Sequence, residues 1–247
     1  MSDMAKKRLL YISMMGTPDM YDPLLYDDLP DTGDDRLIVA NRLREWGVLK
    51  TIDYQAIGFT NGEALPDPLN IDAVIVGGSV HSINENQPWQ IVLMAWLERW
   101  RETGRPVLGI CGGHQMMCVM AGSTVAPRAS GVKGTSAAIT LTDAGRNHPL
   151  FEGVGDLPVF HFGNFDHVLE APENTTVLAN DPESPALAID HGDNWYSIQF
   201  HPEASHDYMA RIWVKSPTPE YALNYISLPD APRLLVNFIR LAGLMAV

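Results

Sequence analysis

Short apolar runs alternate with amphipathic stretches along the first half of the chain. The apolar runs have the length and the branched aliphatic content of buried strands, and the stretches between them repeat apolar residues at helical spacing. The predicted strands span 8–14, 48–54, 73–76 and 107–110. The predicted helices run from an N-cap at Asp34 to about Trp46, from Trp89 to Thr103 after Pro88, and over 115–121. This alternation predicts a parallel sheet with helices on both faces.

The second half has a different pattern, with more frequent strands. Candidate strands lie near 137–141, 158–162, 175–179, 186–190 and 194–200, and a terminal helix is predicted over 231–241. No linker or change of composition divides the sequence, so residues 1–247 are expected to form one domain. The predicted fold class is α/β, a three-layer sandwich around a mostly parallel sheet, with a smaller β-rich portion.

Composition and charge argue against a membrane protein, a secreted protein and a nucleic-acid-binding protein. Hydrophobic residues make up 46% of the 247 positions, which is enough for a large core, and no apolar run approaches the ~18 residues of a membrane span. The N-terminus lacks the features of a signal peptide. A net charge of −13 argues against nucleic acid as a partner. We therefore expect a cytoplasmic protein that binds neither membranes nor nucleic acid.

An acidic segment interrupts the pattern near the N-terminus. Residues 15–34 are rich in aspartate and proline and predict a loop. The carboxylates of Asp27, Asp28, Asp31, Asp34 and Asp35 are expected to be solvated. A lid over an active site is the alternative interpretation of this segment.

Candidate chemistry first appears at the end of the fourth strand. Residues 107–115 read Val-Leu-Gly-Ile-Cys-Gly-Gly-His-Gln, a strand, a glycine-flanked turn and the start of a helix. This is the layout of a nucleophile elbow, and a helix N-terminus favours the thiolate of Cys111. A buried cysteine in a glycine turn is the alternative. Cys118, about 10 Å further along the helix, is expected to be a reduced core residue.

A partner segment follows in the second half. The last predicted strand delivers His201, and Pro202 favours an extended backbone there, so that Glu203 points to the same side as His201. A carboxylate so placed can orient the imidazole, and the other ring nitrogen can then exchange a proton with Cys111.

These segments resemble the class I glutamine amidotransferases. The resemblance is carried by 109–115, by 199–203 and by 73–79, which is similar to the family's strand and oxyanion loop, and it extends over most of the chain. The sequence looks most like free-standing members similar to the glutaminase domain of GMP synthase. The resemblance implies a flavodoxin-like fold and a triad of Cys111, His201 and Glu203.

The resemblance also implies an oxyanion hole. Its two N–H groups would come from Gly78 and from Gly112, the residue after the nucleophile. Ser79 stands where the family has proline, and Gly112 replaces a bulkier residue. An ordinary turn after a strand is the alternative interpretation of the 77–78 glycines.

Candidate substrate-binding residues come from two segments. Gln115 matches a family glutamine that contacts the substrate amide, although a helix-packing role is equally compatible with its position. Asn164, Phe165 and Asp166 belong to a segment that resembles the one near the amino-acid end of glutamine. Asn164 replaces the family's histidine, which questions strict specificity for glutamine.

Three functions remain open. The first is a glutaminase-type amidotransferase that forms a γ-glutamyl thioester and supplies ammonia to a separate ATP-dependent synthetase, since the chain has no phosphate-binding Gly-x-x-x-x-Gly-Lys loop. The second is a stand-alone γ-glutamyl hydrolase or peptidase. The third is a non-catalytic binding module. We expect no cofactor and no metal, because His201, Glu203 and His206 span a proline and lack the usual ligand spacing.

Overall fold

The computed structural model describes residues 6–15 and 23–245. The helices are α1 (Asp35–Glu45), α2 (Pro88–Arg101), α3 (Gly112–Met120), α4 (Asp143–Asn147), α5 (His206–Val214) and α6 (Arg233–Leu241). The strands are β1 (Arg8–Met14), β2 (Asp53–Gly58), β3 (Ala73–Ser79), β4 (Val107–Ile110), β5 (Val125–Pro127), β6 (Lys133–Ala138), β7 (Thr140–Leu141), β8 (Val159–Asn164), β9 (Asp166–Val168), β10 (Thr176–Asp181), β11 (Ser184–Asp190) and β12 (Trp195–Ile198). No helix in these ranges is long and apolar enough to cross a membrane.

The centre of the molecule is an eight-stranded sheet with the order β2-β1-β3-β4-β12-β11-β10-β7. Pairing is parallel from β2 through β12 and antiparallel from β12 to β7. Two small antiparallel sheets, β5-β9 and β6-β8, lie beside it. The predicted α/β class and its β-rich portion are therefore confirmed. The carboxyl ends of β3, β4 and β12 are adjacent, so the segments that follow them meet at one edge.

Alternating residues of β1 enter two separate cores. Leu9 and Tyr11 pack with α1 and α6 on one face, whereas Leu10 and Ile12 pack with α2 and α3 on the other. Trp96 and Trp100 of α2 are buried in the second core and stack with ring centroids 5.5 Å apart. The helices thus cover both faces of the sheet, which gives the three layers predicted from the pattern.

The ends of the early helices follow their sequence signals. The Asp34 side chain accepts a hydrogen bond from the Arg36 amide at 2.9 Å, which satisfies one of the free donors at the start of α1. Pro88 occupies the first turn of α2, where its missing N–H costs nothing. Gly47 and Gly104, at φ 74° and 65°, follow the ends of α1 and α2.

The predicted strand 48–54 is wrong. Val48–Lys50 forms a 3-10 helix, and β2 begins only at Asp53. Val48, the first residue of this turn, and Ile52, two residues after it, are buried. Their apolar side chains therefore fix the turn to the core and do not indicate a strand. The pattern also failed to predict β5, β9, α4 and α5, which are short or interrupted by polar residues.

The expectation that the acidic segment is solvated holds only in part, and residues 16–22 of the predicted loop lie outside the described residues. Asp27 and Asp28 are exposed, and Asp28 forms two hydrogen bonds of 2.6 Å with Arg211 of α5. Asp31 and Asp35 are buried, contrary to the expectation, because the chain turns inward where α1 begins.

Candidate active site

Cys111 occupies a strained turn between β4 and α3. Its backbone has φ 51° and ψ −101°, a conformation that L-residues rarely adopt, and its amide donates to the Ile198 carbonyl at 2.8 Å. The flanking glycines are needed for close approach. A Cβ on Gly109 would lie 2.6 Å from the Met117 sulfur, and one on Gly113 would overlap the Val76 carbonyl oxygen. The segment therefore forms the glycine-flanked turn between strand and helix that the sequence predicts, and we call this turn the elbow.

The Cys111 side chain lies at the N-terminus of α3 and is 7% exposed. Helix N-termini carry unpaired N–H groups and a partial positive charge, which favour a thiolate. The Gln199 side chain donates to the Cys111 sulfur at 3.5 Å. Gln199 was not among the predicted site residues, although it lies two positions before His201 in an extended segment and so shares its side of the chain.

His201 and Glu203 lie in the segment that follows β12, and this segment brings the His201 ring next to Cys111. The His201 amide donates to the His161 carbonyl at 2.9 Å, and its Nδ1 lies 2.7 Å from Glu203 Oε1. Burial disfavours the imidazolium, but the Glu203 carboxylate and the neighbouring Cys111 sulfur raise the pKa of His201 well above its ordinary value. The Glu203 carboxylate and the sulfur therefore favour the protonated form of the His201 ring.

Gly78 and Gly112 adjoin this pair. A Cβ on Gly78 would lie 3.2 Å from His201 Cε1 and 3.9 Å from Cys111 Cβ, so Gly78 borders both side chains. A Cβ on Gly112 would lie 2.8 Å from the Ser79 amide nitrogen, so the elbow packs directly on the 78–79 loop. The glycine that replaces a bulkier residue at 112 is thereby explained, because Ser79 leaves no room for a side chain.

The predicted substrate-binding residues lie together beside the elbow. The Gln115 amide group donates to the Asp166 carbonyl at 2.9 Å and to Gln199 Oε1 at 3.1 Å, so only its carbonyl oxygen remains for a ligand. Asn164 is 3% exposed and donates to the same Asp166 carbonyl at 2.9 Å. Phe165 is 60% exposed and packs near Trp213.

One cavity of about 400 Å³ joins these groups. Cys111, His201, Glu203 and Gly78 lie in its wall, as do all four predicted substrate-binding residues. Apolar side chains from α1 and α5 form another part of the wall: Ile38, Tyr208, Met209 and Ile212. The site is therefore a mixed polar and apolar pocket at the carboxyl edge of the sheet.

Asp35 and Tyr11 also line the cavity and were not predicted. The Tyr11 hydroxyl donates to Asp35 Oδ2 at 2.8 Å, and the Ser13 hydroxyl donates to Oδ1 at 2.7 Å. Burial raises the pKa of Asp35 to about 6, although these hydrogen bonds favour the carboxylate. An aspartate in the first turn of a helix gives no sequence signal of this role, because it is common there for helix stability alone.

A buried polar network joins α3, the helix that follows the elbow, to β12. The Ser197 hydroxyl lies 2.8 Å from His114 Nδ1 and 2.7 Å from His191 Nε2. Cys118 is fully buried beside His114, and burial raises the pKa of its thiol to about 12. Cys118 is therefore a core residue, as predicted.

Known proteins share this sequence pattern and fold. The model of the family described as glutamine amidotransferase class-I matches residues 37–215. The GMP synthase [glutamine-hydrolyzing] of Aeropyrum pernix is 30% identical over 79% of the chain, and that of Phenylobacterium zucineum is 34% identical over 68%. A glutamine amidotransferase from Thermotoga maritima has 20% identity and a TM-score of 0.67, covering 97% of this chain and 96% of that one.

The curated relatives are longer proteins. The matched region covers 34% of the Aeropyrum pernix protein and 31% of the Phenylobacterium zucineum protein, so the chain spans about a third of their length. The family match covers well over half of the chain and includes the elbow, the 78–79 loop and the His201 segment. The chain belongs to the class-I glutamine amidotransferase family.

Proposed function

We propose that the chain hydrolyses the side-chain amide of glutamine with Cys111 as nucleophile, His201 as acid and base, and Glu203 as the orienting carboxylate. One observation carries this proposal. The strained Cys111 at a helix N-terminus lies beside the His201 imidazole, and the Nδ1 atom of that ring lies 2.7 Å from Glu203 Oε1. This arrangement of nucleophile, imidazole and carboxylate supports nucleophilic acyl transfer as the proposed chemistry.

In the proposed reaction, the Cys111 thiolate bonds to the side-chain carbonyl carbon of glutamine. The N–H groups of Gly78 and Gly112 stabilise the resulting oxyanion. His201, kept protonated by its neighbours, gives its proton to the departing nitrogen, and ammonia leaves. Water then attacks the γ-glutamyl thioester with His201 as base, which releases glutamate and restores the thiolate.

Asn164, Asp166 and the Gln115 carbonyl oxygen are proposed to hold the amino-acid end of the substrate. The Oδ1 atom of Asn164 is buried and lacks a hydrogen-bond partner within the described residues. A buried acceptor without a partner is costly, and the ammonium group of a bound amino acid would satisfy it.

Ammonia would pass to a separate ATP-dependent synthetase. The curated relatives named GMP synthase contain a further two thirds of sequence that this chain does not match. We propose a synthetase as the ammonia acceptor because these relatives are named GMP synthase [glutamine-hydrolyzing].

A second candidate is hydrolysis of γ-glutamyl conjugates without a partner. It uses the same thioester, and two observations favour it. Asparagine replaces the family's histidine at position 164, and the cavity has an extensive apolar wall from α1 and α5 that the glutamyl group alone would not need. The retained nucleophile, base and carboxylate argue against a non-catalytic binding module.

The decisive experiment incubates the purified chain with glutamine and measures ammonia and glutamate together. Equal amounts of both products are expected from the wild-type protein and none from Cys111→Ala. Mass spectrometry after acid quenching should detect a γ-glutamyl adduct on Cys111. Undiminished turnover by Cys111→Ala would exclude the proposed mechanism.

A further inference from the structure

The cavity beside Cys111 carries more negative than positive charge. Its wall contains these carboxylates: Asp35, Glu85, Asp166 and Glu203. Within the described ranges, the wall includes neither lysine nor arginine. Its two histidines are each paired with a carboxylate, His81 with Glu85 and His201 with Glu203, both at 2.7 Å. Two carboxylates, Asp35 and Asp166, therefore have no cationic partner in the part of the chain that the structure describes.

Among residues 6–15 and 23–245, the side-chain donors to the Asp35 carboxylate are both uncharged, the hydroxyls of Tyr11 and Ser13. The adjacent Arg36 is engaged elsewhere, since it pairs with Asp34 at 2.7 Å and with Glu63 at 2.8 Å. A buried carboxylate without a counter-ion is unfavourable, and a cationic ligand group in the cavity would remove that cost.

Asp166 marks a second position for a cation. Its carboxylate accepts a hydrogen bond from the Ser82 hydroxyl, and the unpartnered Oδ1 of the 3% exposed Asn164 belongs to the same part of the wall. This unsatisfied buried acceptor is an observation independent of the acidic groups, and it also indicates a ligand that donates hydrogen bonds. The proposed function assigns this end of the cavity to the α-ammonium of the glutamyl group.

The two carboxylates are associated with helices that cover different faces of the sheet. Asp35 begins α1, which covers one face of the sheet, whereas Asp166 adjoins Gln115 of α3, which covers the other. Cys111 follows β4 in the central sheet and lines the same cavity as both carboxylates. Ile38 lies on α1 close to Asp35 in sequence and clusters with Met209 of α5, and the Met209 side chain reaches Gly163, beside Asn164. The apolar wall therefore extends from the Asp35 side of the cavity toward the segment of Asn164 and Asp166.

We propose that the substrate is a γ-glutamyl amide of an aliphatic diamine, with its second ammonium bound by Asp35 and its alkyl chain against α1 and α5. This inference rests on the thioester chemistry proposed above and names the substrate class for it. The Cys111 sulfur bonds to the γ-glutamyl carbonyl carbon, the C–N bond breaks, and the diamine leaves with a proton from His201. Water then cleaves the thioester to glutamate.

The test compares conjugates that differ only at the far end of the amine. γ-Glutamylputrescine ends in an ammonium, γ-glutamylpentylamine ends in a methyl group of similar size, and γ-glutamylaminobutyrate ends in a carboxylate. Glutamate formation gives kcat/KM for each. The ammonium conjugate is expected to exceed the methyl conjugate by about tenfold or more, and the carboxylate conjugate to be the poorest substrate.

Asp35→Asn removes the charge and keeps the shape of the side chain. We expect the ratio of kcat/KM between the ammonium and methyl conjugates to fall toward one in this variant. Asp156→Asn makes the same change at an exposed loop position and should leave the ratio at its wild-type value.

Each other outcome has a definite meaning. Equal kcat/KM for the ammonium and methyl conjugates in the wild-type protein overturns the inference, and so does a ratio that survives Asp35→Asn. Turnover of glutamine alone overturns the inference but leaves the proposed function intact. Failure to hydrolyse glutamine and every conjugate overturns both.

Discussion

At the scale of single residues, the two cysteines differ in environment rather than in type. Cys111 lies at a helix N-terminus beside the His201 imidazole, whose pKa is raised, whereas burial raises the pKa of the Cys118 thiol to about 12. A diazo-ketone analogue of glutamine should therefore label the native protein once, at Cys111. Peptide mapping checks the site, and Cys118→Ala should be labelled as the wild-type protein is. A label found mainly at Cys118 would contradict the assignment.

Glu203 sets both the orientation and the charge of His201. Because the carboxylate raises the pKa of His201, Glu203→Gln should lower that pKa and reduce the imidazolium fraction near neutral pH. We expect kcat/KM for glutamine to fall by roughly 10²–10⁴, as for other orienting carboxylates. Since the proposed mechanism uses His201 in its protonated form, the alkaline limb of the pH–rate profile should also move to lower pH. A fall in kcat/KM with an unchanged profile would indicate that Glu203 supports the fold alone.

The side chain at position 164 is expected to affect the choice between glutamine and γ-glutamyl conjugates. Asn164→His restores the residue that the family pattern has, adds bulk to a fully packed position and allows a positive charge. We expect the ratio of kcat/KM between glutamine and γ-glutamyl conjugates to rise. Steady-state kinetics on both substrates check this, and an unchanged ratio would make position 164 purely structural.

At the scale of elements, the site depends on how closely α3 approaches β3. Gly113→Ala would place a methyl group against the Val76 carbonyl oxygen, which belongs to the backbone and cannot move aside. We expect a loss of unfolding free energy of roughly 1–3 kcal/mol or more. Gly163→Ala is the matched control, because its added carbon meets only the flexible end of Met209 at 3.0 Å. Urea denaturation should show a clear difference between the two variants.

Elements with a strong local pattern could be predicted from the sequence, and these include the strand and the helix that flank Cys111. Residues close in sequence determine the Asp34 cap, the strand of 107–110 and the glycine-flanked elbow. The 3-10 turn at Val48–Lys50 was mistaken for a strand, because burial of Val48 depends on distant helices. Asp35 was missed for a similar reason, since its hydroxyl donors lie more than twenty positions away on β1.

At the scale of the whole molecule, buried histidines should make stability depend on pH. Burial lowers the pKa of His114 to about 3, and that of His161 and of His191 to about 4, with nearby charges adding to the effect. The unfolded chain therefore binds protons below about pH 6.5 that the folded protein does not. Asp35, whose pKa burial raises to about 6, and His201, whose pKa Glu203 helps to raise, act in the opposite direction. Burial also lowers the pKa of His148 and of His167, and these two groups add to the effect of the three buried histidines.

The free energy of unfolding in urea should therefore fall as the pH is lowered from 7 to 5, by a few kcal/mol. His191→Gln keeps a polar partner for Ser197 and removes one titrating ring, so its slope against pH should be smaller by about one proton, or roughly 1.4 kcal/mol per pH unit. His206→Gln changes a partly exposed histidine and should keep more of the wild-type slope. Parallel slopes in wild-type and His191→Gln proteins would show that other groups control the acid sensitivity of this fold.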